Sequence, residues 1–211
     1  MLPFPTRTIA VTTTDLHLPT RDDFRPAFVE HTDLLILKAR EPSVPFYRFL
    51  YDAVGRDFVW IDRLAWTDEQ YREYLSRPTT TVLVLYFRGT PVGYIDLDAS
   101  AGTETEVVYF GLVRAVHGRG FGKHLLSVGV QHAFDAGAAR VWLHTCTLDG
   151  PHAIANYLAR GFVPYKTTTQ DEPVPLDWQP PTLTPRVGSP SGWWWPSACH
   201  RKRGTGTMPR M

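Results

Sequence analysis

The chain has 211 residues, with 22 basic and 21 acidic side chains for a net charge of +1, and 43% of it is hydrophobic. That length and apolar content suit one well-filled domain, and the near-neutral balance argues against a nucleic-acid surface as the main business, which needs a basic excess on one face. The two cysteines, Cys146 and Cys199, build neither a disulfide framework nor a zinc site, and no apolar run reaches the roughly 18 to 20 residues that cross a bilayer.

The N-terminal MLPFPTRTIAV lacks a charged start before an apolar signal core, so a soluble cytoplasmic protein is the expectation. Arg7 to Leu16 is rich in Thr, Val and Ile and reads as a first strand. The segment from Pro19 to Ala39 stays open, because HTDLLILKAR suits a strand or a helix end. Val44 to Val54 carries Phe46, Phe49, Leu50 and Val54 at helical spacing, with Gly55 as a stop, and Thr67 caps a second helix over Asp68 to Leu75. Thr79 to Phe87 and Val92 to Leu97, joined by Arg88-Gly89-Thr90-Pro91, predict an antiparallel hairpin.

The stretch ETEVVYFGLVRAVHGRGFGKHLLSVGVQHAF, from Glu104 to Phe134, organises the rest. It reads as a strand, a turn holding Gly118, Gly120 and Gly122, and a helix that buries Leu125, Leu126, Val128, Gly129, Val130 and Phe134 while Lys123, His124, Gln131 and Asp135 face outward. A glycine-rich turn entering a helix is an anion site, since the first turn has unpaired N–H groups at the positive end of the helix dipole. A mononucleotide phosphate loop would require Ser or Thr after Lys123, where His124 stands, and the Gly-x-Gly-x-Gly spacing misses the dinucleotide fingerprint.

After Gly137, Arg140 to Leu148 predicts a strand parallel to the organising one, because a long helix joins the two. Pro151 opens a helix with Ile154, Tyr157 and Leu158 on one face, Gly161 closes it, and Phe162 to Tyr165 starts a last strand. Beyond residue 168 the chain turns dense in Pro, Gly, Ser and Thr. It reads as a partly disordered tail over 169–211, carrying Trp193, Trp194, Trp195 and the basic Arg201, Lys202 and Arg203.

The run from Val107 to Lys123 resembles motif A of the GNAT superfamily of acetyl-CoA-dependent N-acetyltransferases, a strand followed by Gln/Arg-x-x-Gly-x-Gly/Ala. His117, Gly120 and Gly122 stand at the fixed positions, and Arg114 stands where many members have Pro. HAIANYLARGF resembles the family's second motif, with Tyr157 four residues before Gly161-Phe162. The resemblance covers about Thr79 to Thr168. It implies a GNAT domain over 1–168 of α/β (α+β) class, with a mixed, mostly antiparallel sheet splayed at its centre and flanked by helices.

It implies further that main chain from His117 through Gly118, Arg119, Gly120, Phe121, Gly122 and Lys123 cradles the diphosphate of acetyl-CoA. A bulge near Phe110 and Gly111 would free the N–H of Leu112 beside Val113 for the acetyl oxygen, Tyr157 would protonate the departing thiolate, and Asn156 would meet the pantetheine arm. Tyr47, Tyr51, Phe58 and Trp60 fall where the family builds its acceptor pocket.

Acetyl transfer to an amine also needs a base, and Glu104 and Glu106 share a face at the start of the organising strand, with Glu106 preferred. His144 and Cys146, two apart on one strand, pose the rival of a nucleophilic pair. The expected activity is direct transfer of acetyl to a primary amine of a small molecule, through a ternary complex, by a monomer or homodimer needing no metal, nucleic acid or membrane. The alternatives are an acetyl-CoA-sensing module without catalysis and an acetyltransferase of protein N-termini or lysines.

Overall fold

The computed structural model describes residues 5–179. In chain order the elements are β1 (Thr6–Leu18), β2 (Leu34–Lys38), α1 (Val44–Gly55), α2 (Asp68–Ser76), β3 (Thr80–Phe87), β4 (Thr90–Asp98), β5 (Glu104–Leu112), α3 (Phe121–Asp135), β6 (Arg140–Cys146), α4 (Ala153–Ala159) and β7 (Val163–Pro175). One sheet runs β2-β3-β4-β5-β6-β1-β7, with every neighbouring pair antiparallel except β5 and β6. This is the expected mixed, mostly antiparallel α/β architecture.

Local chemistry sets the boundaries. Ser43 accepts from the Phe46 amide to start α1, and Thr67 and Gln70 form a reciprocal capping box at α2. Arg88 and Gly89, both at positive φ, turn the β3–β4 hairpin in two residues, shorter than the four-residue connection expected. The ambiguous HTDLLILKAR resolves as edge strand β2 because Leu34 to Lys38 pair in register with Phe87 to Leu83.

The sheet buries a different chemistry on each face. On one, Leu83, Leu85, Ile95, Leu97 and Val107 meet Leu125, Leu126, Val130 and Phe134 of α3, and Tyr157 and Phe162 from α4 and beyond, in a mainly aliphatic core. On the other, Val82, Val84 and Tyr94 meet Tyr47, Leu50, Tyr51 and Val54 of α1 and Tyr71 of α2, with Trp60, Trp66 and Tyr109 packed around them.

Three expectations change. Ile154 and Leu158 are 41% and 45% exposed, so only Tyr157 of the expected α4 face is buried; a helix this short meets the core along one narrow line. His124 is drawn inward, its Nδ1 accepting from the Val29 amide at 3.2 Å. The compositional break at residue 168 falls inside β7, which continues to Pro175 because its threonines and Val174 pair with Thr6 to Thr14 of an equally β-branched β1. Val174 is fully buried with Val11 and Leu148. The three adjacent tryptophans and Cys199 lie outside the described residues. Among those described, no helix is long and apolar enough to cross a membrane.

Candidate active site in the gap between two parallel strands

β5 and β6 pair only at Glu104–Arg140, Thr105–Val141 and Glu106–Trp142, and then diverge. Val113 donates its N–H to Val92 on β4 at 2.8 Å, so its amide is spent in the sheet. Because successive residues of an antiparallel strand aim their amides alternately toward and away from the neighbour, the N–H groups of Leu112 and Phe110 face the gap.

The expected bulge is displaced. Phe110 and Gly111 sit in register with Ile95 and Tyr94, and the extra residue is Val108, between Tyr109 opposite Asp96 and Val107 opposite Leu97. Gly111 is small for another reason: a Cβ there would lie 2.5 Å from Cγ1 of Val54 and 3.5 Å from the Trp60 ring. The inserted residue resets the alternation. Val107 before it and Leu112 after it both enter the aliphatic core, while Tyr109 packs among the aromatics on the face that Glu106 shares.

The glycine turn abuts the far end of β5. Gly118 and Gly120 adopt φ +78°, a left-handed conformation that other residues reach only with strain, and Gly120 is the N-cap of α3. Among the described residues, the amides of Gly118, Arg119 and Gly120 meet no main-chain acceptor, and those of Phe121, Gly122 and Lys123 open the helix. The result is a row of N–H donors on backbone with little side chain over it. A Cβ on Gly122 would touch only Leu112 and Phe110, at 3.7 and 3.9 Å. Lys123 is exposed, and the Arg119 guanidinium lies over the Phe87 ring. His117 turns away from this row: its Nε2 bonds the Leu112 carbonyl at 2.9 Å, and its ring lies parallel to Phe58.

The candidate base and acid stand on opposite faces of the gap. Glu106 is partly buried at the last paired position, and burial raises its carboxyl above the ordinary glutamate value, partly offset by His144 at 3.7 Å. Glu104, two residues earlier, is held by Arg140 at 2.9 Å, which leaves it a structural ion pair. Tyr157 packs edge-on against Phe110 at 6.1 Å, and burial, reinforced by Asp149 and Cys146, raises its phenol far above 10. Asn156 precedes it on α4, half-buried. Burial also pushes the Cys146 thiol up to about 11, with Asp149 adding to the shift, so it is protonated at neutral pH and does not act as a thiolate nucleophile.

The sequence reading missed a buried polar network behind the aromatic wall. The Asp96 carboxylate is fully buried on β4 and accepts from Tyr47 at 2.5 Å, Tyr74 at 3.0 Å and Arg63 at 3.2 Å. Arg63 is 4% exposed, donates also to the Tyr47 hydroxyl, and lies over the rings of Tyr74, Tyr109 and Trp66. Burial pushes the Asp96 carboxyl up to about 6 against the pull of Arg63. The sequence held one clue: Tyr94, Asp96 and Asp98 alternate with Ile95 and Leu97, placing a carboxylate in line with an aromatic. Arg63 anchors residues 56–66, which bring Phe58 beside His117, Val59 against Leu148 and Val174, and Trp60 onto Gly111. Of the four expected pocket aromatics, Tyr47 and Tyr51 are buried core and Phe58 and Trp60 border the gap.

Solved structures share this fold at low sequence identity. A GCN5-related N-acetyltransferase from Kribbella flavida matches with TM-score 0.56 and 20% identity over 78% of this chain and 58% of that one. One from Sphaerobacter thermophilus matches with TM-score 0.59 and 16% identity over 80% and 53%. The chain thus spans less than two thirds of either. An aminoglycoside acetyltransferase from an uncultured soil metagenomic sample, in complex with trehalose, matches with TM-score 0.52 and 16% identity over 61% of this chain and 87% of that one. No curated protein matches by sequence. The family model described as acetyltransferase (GNAT) family matches residues 47–162, which run from α1 through the Tyr157 helix and take in more than half of the chain, gap, glycine turn and all; the chain belongs to the GNAT family.

Proposed function

We propose that the protein transfers acetyl from acetyl-CoA directly to a primary amine of a small molecule within a ternary complex. The observation that carries this reading is the gap itself, an opening between parallel strands that has unspent main-chain N–H groups at one end and Glu106 at the other. The free amides from Gly118 to Lys123 fit a diphosphate, and the inward-facing N–H of Leu112 fits a carbonyl oxygen. Bound acetyl-CoA would supply the acyl thioester.

The residues of the chain would do the proton work. Glu106 takes a proton from the incoming ammonium, and Tyr157, protonated at neutral pH, donates one on the opposite face. A thiol at about 11 makes Cys146 a poor way-station, which favours direct transfer. The small-amine preference draws on the aminoglycoside enzyme among the structural neighbours.

Two measurements test the proposal. Calorimetry should find one molecule of coenzyme A bound per chain, and free thiol should appear from acetyl-CoA only when an amine is added. No uptake of coenzyme A, or no thiol release with any panel of amines, would defeat it.

A further inference from the structure

The two glutamates at the start of β5 have different fates. Glu104 faces a guanidinium, whereas Glu106 has an imidazole for its nearest basic group, His144 Nδ1 at 3.7 Å from Oε1. The placement follows from register. Glu106 is opposite Trp142 in the last pair before the strands part, so His144, two residues on, is the next side chain on that face of β6, alongside the opening. Exposure rises along the pair, from 26% for the Glu106 side chain to 51% for that of His144.

Resting on the reading that an ammonium is deprotonated at Glu106, we propose that His144 is the second proton carrier of the site, passing that proton from the half-buried carboxyl to water. The Glu106 carboxylate takes a proton from the ammonium and leaves a neutral amine. The resulting carboxylic acid gives the proton to Nδ1 of neutral His144, directly after a small side-chain adjustment or through one water, and regains its charge. The imidazolium releases a proton from Nε2 to solvent. Protons balance at each step, and the only co-reactant is water.

The charged and titratable groups around the ring come from β1, β6, β7 and the turn after β6. Asp15 of β1 lies directly opposite His144, and Asp149 lies close enough to feel its charge. Cys146, on the same face of β6, is a neutral thiol. Lys166 of β7 is one strand further out, opposite Asp15. Arg140 is engaged by Glu104 and donates to His17 at 2.8 Å. Glu106 on β5 and Asp15 on β1 are therefore the carboxylates on the two strands beside His144, and the nearby cations are paired or more distant.

The test uses the full chain. His144→Ala should lower kcat on the order of 10-fold in dilute buffer, with KM for acetyl-CoA unchanged, and added imidazole should restore much of the loss. A merely structural histidine would give a lower melting temperature and no rescue. Independently of turnover, the His144 ring resonance in a ¹H–¹³C spectrum should move when Glu106→Gln is introduced. Full kcat for His144→Ala at every pH, a deficit that imidazole leaves untouched, or a ring resonance indifferent to Glu106→Gln would each overturn the proposal. If Glu106→Gln is nearly inactive while His144→Ala behaves as wild type, the relay alone is wrong; if the wild type releases no thiol with any amine, the acetyl-transfer reading fails and the relay with it.

Discussion

The two faces of the sheet solve different problems. The α3 face is aliphatic and close-packed: Leu125, Leu126, Val130, Ile95 and Leu85 are fully buried, its buried polar side chains are tied locally, as Ser127 is to Lys123 and Ala27, and its open donors are main-chain amides at the glycine turn. The α1–α2 face buries tyrosines, tryptophans and an ionic pair, and its polar business is done by side chains. In the proposed reaction, a donor of fixed shape lies against the first, whose backbone amides hold little sequence information. The acceptor lies against the second, where each side chain does. Such a division lets the acceptor change without rebuilding the donor site.

The largest expected effect falls on the ionic pair. Arg63→Ala should cost about 3–5 kcal/mol in urea unfolding, since it strands a buried carboxylate, whereas replacing Arg63 and Asp96 together by apolar residues of similar volume should recover much of that. Equal losses from single and double variants would mean that the face is held by its rings alone. Next comes Glu106→Gln, expected to lower kcat/KM about 100-fold without altering unfolding.

The sign of its pH dependence follows from burial. The base acts when ionised, so kcat/KM should rise with pH through the Glu106 pKa, at a midpoint above that of an exposed glutamate. The variant should lose that limb. On the aliphatic face, Gly129→Ala drives a Cβ to 2.5 Å from Cδ1 of Ile95 and should cost about 1–3 kcal/mol of stability while sparing the pH profile. The smallest effect is expected from Tyr157→Phe, about 10-fold in kcat with coenzyme A binding retained.

The face that was legible in the sequence is the aliphatic one. Period-2 strands, the helical stripe of α3 and the three glycines give element type and order, and the turn is where its spacing places it. The aromatic face was not legible, because it depends on contacts between distant segments. Arg63 looks like a surface arginine until α1, α2 and β4 close over it, and Gly111 looks like a bulge until Trp60 arrives from residues 56–66. The bulge at Val108 is likewise a property of the β4–β5 register, and no residue type there announces it. The helical face drawn through Ile154 and Leu158 failed because seven residues of α4 have only Tyr157 to bury.

Three residue pairs are a slender seam for a sheet of seven strands. Main-chain rungs are missing from Val107 onward, and α3 together with the Phe58–Trp60 segment splints the two halves from either side. Any guest that lays its own amides along Phe110 and Leu112 supplies rungs that the fold omitted, in the manner of an added strand. Filling the cleft would then weld the half-sheets into one panel, and amide hydrogen exchange on both sides of the seam would slow together.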